Sequence, residues 1–513
     1  MHLNKWLFAV VAALIYTVPS NAAPSEADTL AAQAGDTVVI SLSKALEIAL
    51  SENVAVKVAD REIERSQYAR KGTYASLFPQ INASGSYQRT IKKQVMYMGG
   101  DDDSKGGGMS SMFAGVMAPV MYYINQLFEG TGIPMVPYVD PNADAAPASS
   151  NEGFEVGRWN TWSGGVNAAM PLVNAQLWQS IGLSGDAVEL AVEKARESRL
   201  GTVTSVKQAY FGVLLAKEAF NVYRSVYENA LENLSNIEKK YNVQKASELD
   251  LTRAKTNLAN AIPNVYNAES SIIIALWQLK AVMGIDLDTP IDVEGALEDY
   301  ASHMFYDINE ARDAGLERNT TMRQLSIQAE QLAKTVRLQQ YAYIPTLALN
   351  FSYSMNAMTN DFKFSEYKWT PYSFVGVSLS IPIFSGGKRY FDVKQAKVQA
   401  AELDLQRINT ERQLKIAIRQ SLQTMETAMR THIAAEDALG SAEKAYSIAA
   451  RSYDVGRSTL TDLDNAQLAL TQARLGVCQA IFNFVTAKAA LEQTLGYDFL
   501  DEEGNVDLDA PLK

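Results

Sequence analysis

The residues best equipped for chemistry in this chain recur as a pair. Tyr241-Asn242-Val243 stands nine residues before Asp250, and Tyr453-Asp454-Val455 stands nine residues before Asp462. Lys245, Arg253, Arg457 and a further carboxylate, Asp464, lie close by in sequence. Carboxylates, phenols and cations in this pattern supply electrostatics rather than bond making, because no nucleophile–base pair accompanies them. The three histidines, His2, His303 and His432, are isolated in sequence, and the last two are expected to be structural or exposed. No HExxH, GxSxG, Walker A or GxGxxG pattern occurs. The one cysteine, Cys478, cannot form an intrachain disulfide, and its apolar setting at 476–480 suggests a small buried side chain. The inventory implies neither an enzyme nor a cofactor.

The paired pattern belongs to a larger duplication. Residues 45–87 align without a gap with 311–353, an offset of 266 (311 minus 45). Leu50-Ser51-Glu52-Asn53 matches Leu316-Glu317-Arg318-Asn319, and Pro79 and Pro345 are followed by Tyr87 and Tyr353. Gly165-Val166 through Pro171-Leu172 matches Gly376-Val377 through Pro382-Ile383. Each half therefore reads helix, strand, loop, strand, very long helix, tip, long helix.

After each proline, apolar and polar residues alternate. Leu347, Leu349, Phe351, Tyr353 and Met355 oppose Ala348, Asn350, Ser352 and Ser354; Ile81, Ala83, Gly85 and Tyr87 oppose Asn82, Ser84 and Ser86. The returning segments around 162–170 and 375–381 behave alike. Side chains of a strand alternate faces, so each segment has one apolar and one small, polar face. At roughly ten residues each they match transmembrane β-strands, with Trp159, Trp162, Tyr353 and Trp369 placed for an interfacial girdle. Four strands cannot close a barrel, which takes at least about eight, and an open edge in lipid leaves backbone groups unpaired. The chain must then oligomerise; eight, twelve or sixteen strands remain open at this point.

From Asn174 to about Glu238 and from Gly387 to about Arg451 no proline occurs. Helices of this length run on the order of 100 Å, which belongs to a coiled coil or bundle. Asn174 and Ser385 are the expected N-caps. Leu251, Ala254, Leu258, Ala261, Val265 and Ala268 repeat at spacings of three and four, and Leu463, Ala466, Leu470, Ala473, Val477 and Ala480 repeat the same types. That is a heptad seam, with alanine permitting close approach. Pro263 is expected to kink the first of these helices locally.

The N-terminus reads as a secretory signal: MHLNKW, the apolar LFAVVAALIYTV and a small-x-small site ending at Ala22. The net charge of −12 disfavours nucleic acid as a partner. An insertion at about 91–158, rich in methionine and carrying Asp101-Asp102-Asp103, is expected outside the cell as a folded element at the barrel mouth. Its methionines are expected to pack and its aspartates to be solvated, not to hold metal.

These features resemble the TolC-like outer-membrane efflux protein family from about residue 41 to 498. The resemblance rests on the duplication, the proline-then-strand junctions, Pro382-Ile383-Phe384-Ser385-Gly386-Gly387 entering a helix, and Tyr453-Asp454-Val455-Gly456 leading to Asp462. It implies a mixed α and β membrane protein, a homotrimer with four transmembrane β-strands per chain in a shared 12-strand barrel, continued by a coiled-coil periplasmic tunnel of twelve helices. The division it implies is a signal peptide (1–22), an N-terminal segment (23–40), a first repeat (41–286), a linker (287–305), a second repeat (306–498) and a tail (499–513). Function is then an exit duct in the outer membrane of a Gram-negative cell. Its partners would be outer-membrane lipid, a periplasmic adaptor and an inner-membrane transporter of the RND, ABC or MFS type. The alternative is a trimeric scaffold or adhesin with the insertion as its binding head.

By the same resemblance, Asp250, Asp462, Asp464, Tyr241, Tyr453 and Arg457 form a pore constriction, six carboxylates coming from Asp250 and Asp462 of three chains. Such a ring attracts cations and is costly to crowd unless paired. The plainer reading makes these charges solvated residues at a helix turn. Val243, Gln244, Lys245, Val455, Gly456 and Ser458 would dock the adaptor. The chain departs from the family pattern at three places: Asn465 replaces an aspartate, Ser458 an arginine and Gln244 a glycine. The cargo is not legible, since the pump selects it.

Overall fold

The structure is a computed structural model and describes residues 38–96, 154–304 and 316–497. The expected signal peptide, the tail 499–513, and most of the N-terminal segment and of the 91–158 insertion lie outside the described residues. The elements are β1 (Val38–Ile40), α1 (Leu42–Glu52), α2 (Val54–Ala75), β2 (Gln80–Arg89), β3 (Gln94–Met96), β4 (Phe154–Val156), β5 (Asn160–Val173), α3 (Ala175–Asn242) and α4 (Glu248–Met283). They continue with β6 (Ile291–Val293), α5 (Thr320–Tyr341), β7 (Thr346–Thr359), β8 (Thr370–Ser380), α6 (Lys388–Asp454) and α7 (Leu460–Leu495). The duplication is visible in these bounds: α5 begins and ends 266 positions after α2 (320 minus 54; 341 minus 75), and α7 begins and ends 212 after α4 (460 minus 248; 495 minus 283).

Two units interleave along the chain. The strand unit comprises Ser76–Asn174 and Pro345–Ile381. Its principal sheet is antiparallel throughout, in the order β2-β5-β7-β8. Register aligns the alternation across all four strands. Ile81, Ala168, Phe351 and Val375 form one row, and Asn82, Asn167, Ser352 and Phe374 the next, facing the other way. The polar face is held by hydroxyl and amide bonds such as Ser352 Oγ to Asn167 Oδ1 at 2.6 Å and Ser86 Oγ to Ser163 Oγ at 2.6 Å. Among the described residues, β2 and β8 have no outer partner in this sheet.

The helical unit holds the remaining elements. The helices α3 and α6 have 68 and 67 residues, roughly 100 Å each. Helix α3 packs against α2, α4, α5 and α7, and α6 packs against α5 and α7. In α4, Ala254, Ala261 and Ala268 are buried and alternate with half-buried leucine and valine. Helix α4 runs on through Pro263. The expected cap of α6 is corrected: Gly387, at φ 82°, occupies the N-cap with no side-chain bond, and Ser385 contributes only its carbonyl to the Lys388 N–H at 3.1 Å. Two glycines preceding Lys388 leave the turn no side chain with which to cap.

The large apolar core gathers Leu46, Tyr210, Phe211, Met425, Ile481 and Phe484. Cys478 lies within it, and burial pushes its thiol up to about 11, as expected for an inert packing residue. This core also accounts for the apolar character of α7, long and apolar enough to cross a membrane by length and composition. A matched clamp closes each half. Asn53 donates to the Val282 carbonyl and Asn319 to the Thr494 carbonyl, both at 2.6 Å. The same asparagines accept from backbone N–H groups of the first turns of α2 and α5.

Candidate functional site: the helix tips

Both long hairpins turn by the same backbone chemistry. At the end of α3 the Lys245 N–H reaches back to Lys240 O at 2.7 Å and Gln244 N–H to Tyr241 O at 2.8 Å. At the end of α6 the Arg457 N–H reaches Ser452 O at 2.8 Å and Gly456 N–H reaches Tyr453 O at 3.0 Å. This double bond pattern consumes the last orphan carbonyls of a helix and puts one residue in the left-handed region. That residue is Gly456 at φ 75° in the second tip and Gln244 at φ 60° in the first. The glycine missing from the first repeat is therefore missing at a position that favours glycine by about 1 kcal/mol. Gln244→Gly is expected to slow amide hydrogen exchange across 241–247 by roughly fivefold, the equivalent of about 1 kcal/mol; unchanged exchange would show that the turn bears no strain.

The next helices begin with a reciprocal cap. Ser247 Oγ accepts from Asp250 N–H at 3.1 Å and donates to Asp250 Oδ2 at 2.6 Å. Thr459 and Asp462 repeat this at 3.2 and 2.6 Å, with the Thr459 N–H also donating to Asp462 Oδ2 at 2.9 Å. Each aspartate is thus the third residue of its helix, where a carboxylate satisfies orphan donors and complements the helix dipole. The Thr459 hydroxyl and amide hold the exposed Asp462 carboxyl below its ordinary range. Asp462 therefore stays charged further into acid than a free aspartate, and its contribution to the cap is lost only as pH falls through that lowered value.

Around these caps a second layer joins the two hairpins. Tyr453 is half-buried beside the tip core of Ile237, Ala254 and Leu460. Burial, with the charges of Asp250, Asp464 and Asp454 adding to it, pushes its phenol up, so it remains neutral. Lys240 Nζ lies 4.9 Å from the Tyr453 ring centroid and 3.7 Å from Asp454 Oδ1. Arg253 Nη1 donates to Thr461 Oγ1 at 3.3 Å, and Asn257 Nδ2 donates to Asp464 Oδ2 at 2.7 Å, both bonds running from α4 to α7. Burial raises the Asp464 carboxyl, opposed by Asn257 and Arg253. Beyond Asp464 lies a cavity of about 450 Å³ whose lining includes Asn229, Asn233, Asn260, Asn264 and Gln467.

The expected site residues thus separate by environment. Asp250 and Asp464 lie near enough to Tyr453 to act on its phenol, while Asp250 and Asp462 each cap their own helix. Asp464 is tied to α4 rather than left free. Tyr241 is exposed, unlike its counterpart Tyr453. Val243 and Val455 are 62% and 69% exposed at the two turns. Ser458, standing where an arginine was expected, donates to the Ala449 carbonyl at 3.3 Å and closes the end of α6. Sequence reasoning missed Lys240, Asn257 and Thr461. Asn257, Asn260 and Asn264 do share one helix face with Ala254 and Ala261, so polar residues beside the heptad seam were the available signal.

Comparison with known proteins gives the family and the fold. The family described as outer membrane efflux protein matches residues 135–285 and 312–497, more than half of the chain. The outer membrane protein TolC of Vibrio cholerae is 22% identical over 68% of this chain and 80% of its own length. The cobalt-zinc-cadmium resistance protein CzcC of Cupriavidus metallidurans is 22% identical over 60% of this chain and 72% of its own length. The solved CmeC outer membrane channel of Campylobacter jejuni superimposes with a TM-score of 0.62 at 17% identity, over 94% of this chain and 93% of that one.

Proposed function

Since the chain belongs to the outer membrane efflux protein family, an outer-membrane exit duct of an efflux or secretion system, we propose that three copies form one passive duct closed at the helix tips. The observation that carries this reading is the four-stranded sheet with one apolar face and, among the described residues, no partner for either edge. Its strands alternate in direction, so β8 of one copy runs antiparallel to β2 of the next. Three copies then close a 12-strand barrel with no edge left in lipid.

The helical unit supports the association of copies. Phe391, Val398 and Leu405 stay exposed at seven-residue intervals on α6, and Ile262, Tyr266, Ile273 and Trp277 stay exposed on α4. These are seams that want a second copy. At the tips, Asp250 and Asp462 of three chains supply a ring of six carboxylates that selects cations. The Asn257–Asp464 and Arg253–Thr461 bonds hold the two hairpins of each chain together. The exposed turns at Val243, Gln244 and Lys245 and at Val455, Gly456 and Ser458 are where a periplasmic adaptor docks, with an inner-membrane transporter of the RND, ABC or MFS type supplying energy. The proposed division keeps two repeats, 41–286 and 306–498, joined by a linker at 287–305.

Native mass spectrometry of the detergent-solubilised protein tests the assembly. Three chains per particle are expected, and loss of the trimer when Phe391, Val398 and Leu405 are all replaced by serine. A stable monomer that still conducts in bilayers would overturn the shared barrel.

A further inference from the structure

We propose that the strand-unit rim opposite the helical connections binds the phosphate groups of the glycolipid in the outer leaflet. The inference rests on the family reading only in taking the strand unit to span the outer membrane. Strands β2, β5, β7 and β8 join helical segments at Gln80, Val173, Thr346 and Ser380, so their other ends reach the outer leaflet.

At that rim three segments are knitted together. Thr90 donates from its N–H to Trp159 O at 2.8 Å and from its hydroxyl to Arg158 O at 3.3 Å. Trp159 N–H donates to Asn360 Oδ1, and Asn160 Nδ2 to Asp361 O, each at 3.2 Å. Tyr87 and Trp162, on the apolar face, stack with centroids 4.3 Å apart, and the 360–369 loop lays Phe364 against Trp162 at 4.9 Å. The loop therefore folds over the lipid-facing wall, leaving Phe362 58% and Phe364 54% exposed.

The same three segments carry cationic side chains, two of them over aromatic rings. The Arg89 guanidinium lies 5.8 Å from the Phe362 centroid, next to Lys363. Lys93 is occupied by Glu155 at 3.4 Å and the Trp159 ring at 4.6 Å, whereas Arg89, Lys92, Arg158, Lys363 and Lys368 are exposed. Residues 89–93, 155–158 and 360–369 hold six basic and three acidic side chains, in a chain of net charge −12. Exposed rings beside long cationic side chains suit an amphiphile with an anionic headgroup: the rings sit at the acyl boundary and the cations reach up to phosphate.

The test incubates the detergent-purified full chain with phosphorylated lipopolysaccharide, with the same glycolipid after dephosphorylation, and with inorganic phosphate. Retained glycolipid is counted by native mass spectrometry. Retention of phosphorylated glycolipid is expected, falling at least fivefold for the dephosphorylated form and for the triple variant Arg89→Gln, Arg158→Gln, Lys363→Gln, with inorganic phosphate failing to compete at millimolar concentration. Equal retention by the triple variant, or by the dephosphorylated lipid, overturns the proposal, and competition by inorganic phosphate reduces it to a generic anion site. Bilayer conductance is measured alongside. Unchanged conductance shows that the variant is folded, and failure of the wild type to insert counts against the membrane reading instead.

Discussion

Replacing both Asp250 and Asp462 by asparagine is expected to abolish block by multivalent cations and to lower cation conductance, without loosening the tips. The charge and the cap reside in the same carboxylates, and the two roles respond differently to substitution. Asparagine keeps a side-chain oxygen able to accept from the Ser247 and Thr459 hydroxyls that now bond Asp250 and Asp462 at 2.6 Å. It removes the charge that draws cations into a narrow, low-dielectric opening. The alanine pair loses both, so it should also show faster amide exchange in the first turns of α4 and α7. The wild-type block should persist below the ordinary carboxylate range, because Thr459 holds Asp462 ionised there. Unchanged conductance and block in the asparagine pair would make these aspartates helix caps and nothing more. If neither wild type nor variant conducts once shown to be inserted, the scaffold reading gains.

The largest loss of stability is expected from Gly284→Ala and Gly496→Ala. Both glycines close a helix in the left-handed region, at φ 78° and 73°, which costs a residue with a Cβ roughly 1–2 kcal/mol. Both also face backbone. A Cβ on Gly284 would lie 2.7 Å from the Glu52 carbonyl oxygen, and one on Gly496 would collide with the Arg318 carbonyl. Those carbonyls immediately precede Asn53 and Asn319, so moving them also strains the asparagine clamps. Gly456 provides the control: its φ is 75°, and a Cβ there meets nothing within 4 Å. Gly456→Ala should cost only the left-handed term, and the other two should unfold well below it in thermal melts. Three equal shifts would show that the backbone contact is unimportant.

Much of this architecture is legible in the sequence because it is periodic. Strand alternation after Pro79 and Pro345 survives into the register, where Ile81 and Phe351 share a row. The heptad alanines Ala254, Ala261 and Ala268 of α4 are buried. Helix ends carry a local mark at Gly456 and at Thr459 with Asp462, but in the sequence Gly456 and Asp462 read as docking and pore residues, and caps are expected only at Asn174 and Ser385. They were misjudged at Ser385, because a side chain that can cap does so only if the backbone delivers it, and two glycines delivered Lys388 differently. The site was legible as a set of charges but not as a geometry. The Asn257–Asp464 bond spans 207 positions, and no local pattern distinguishes an aspartate facing a partner helix from one facing solvent. The asparagine clamps were visible only as matched letters, since their partners Val282 and Thr494 act through backbone carbonyls that carry no side-chain signature.

The proposed duct is shut by bonds between the two hairpins at the tips. The measurement that tests it most directly is single-channel conductance of the wild type beside Asn257→Asp, at pH 7.5 and at pH 5. In the variant a carboxylate replaces the amide that now donates to Asp464 at 2.7 Å. Two facing carboxylates raise each other's pKa, beyond the rise that burial already imposes on Asp464. With both ionised the hairpins repel; as pH falls the pair takes up one proton and bonds again. A small wild-type conductance at both pH values, with a large conductance in the variant at pH 7.5 that falls at pH 5, is the predicted result. Identical conductance for variant and wild type at both pH values would contradict a gate at the helix tips.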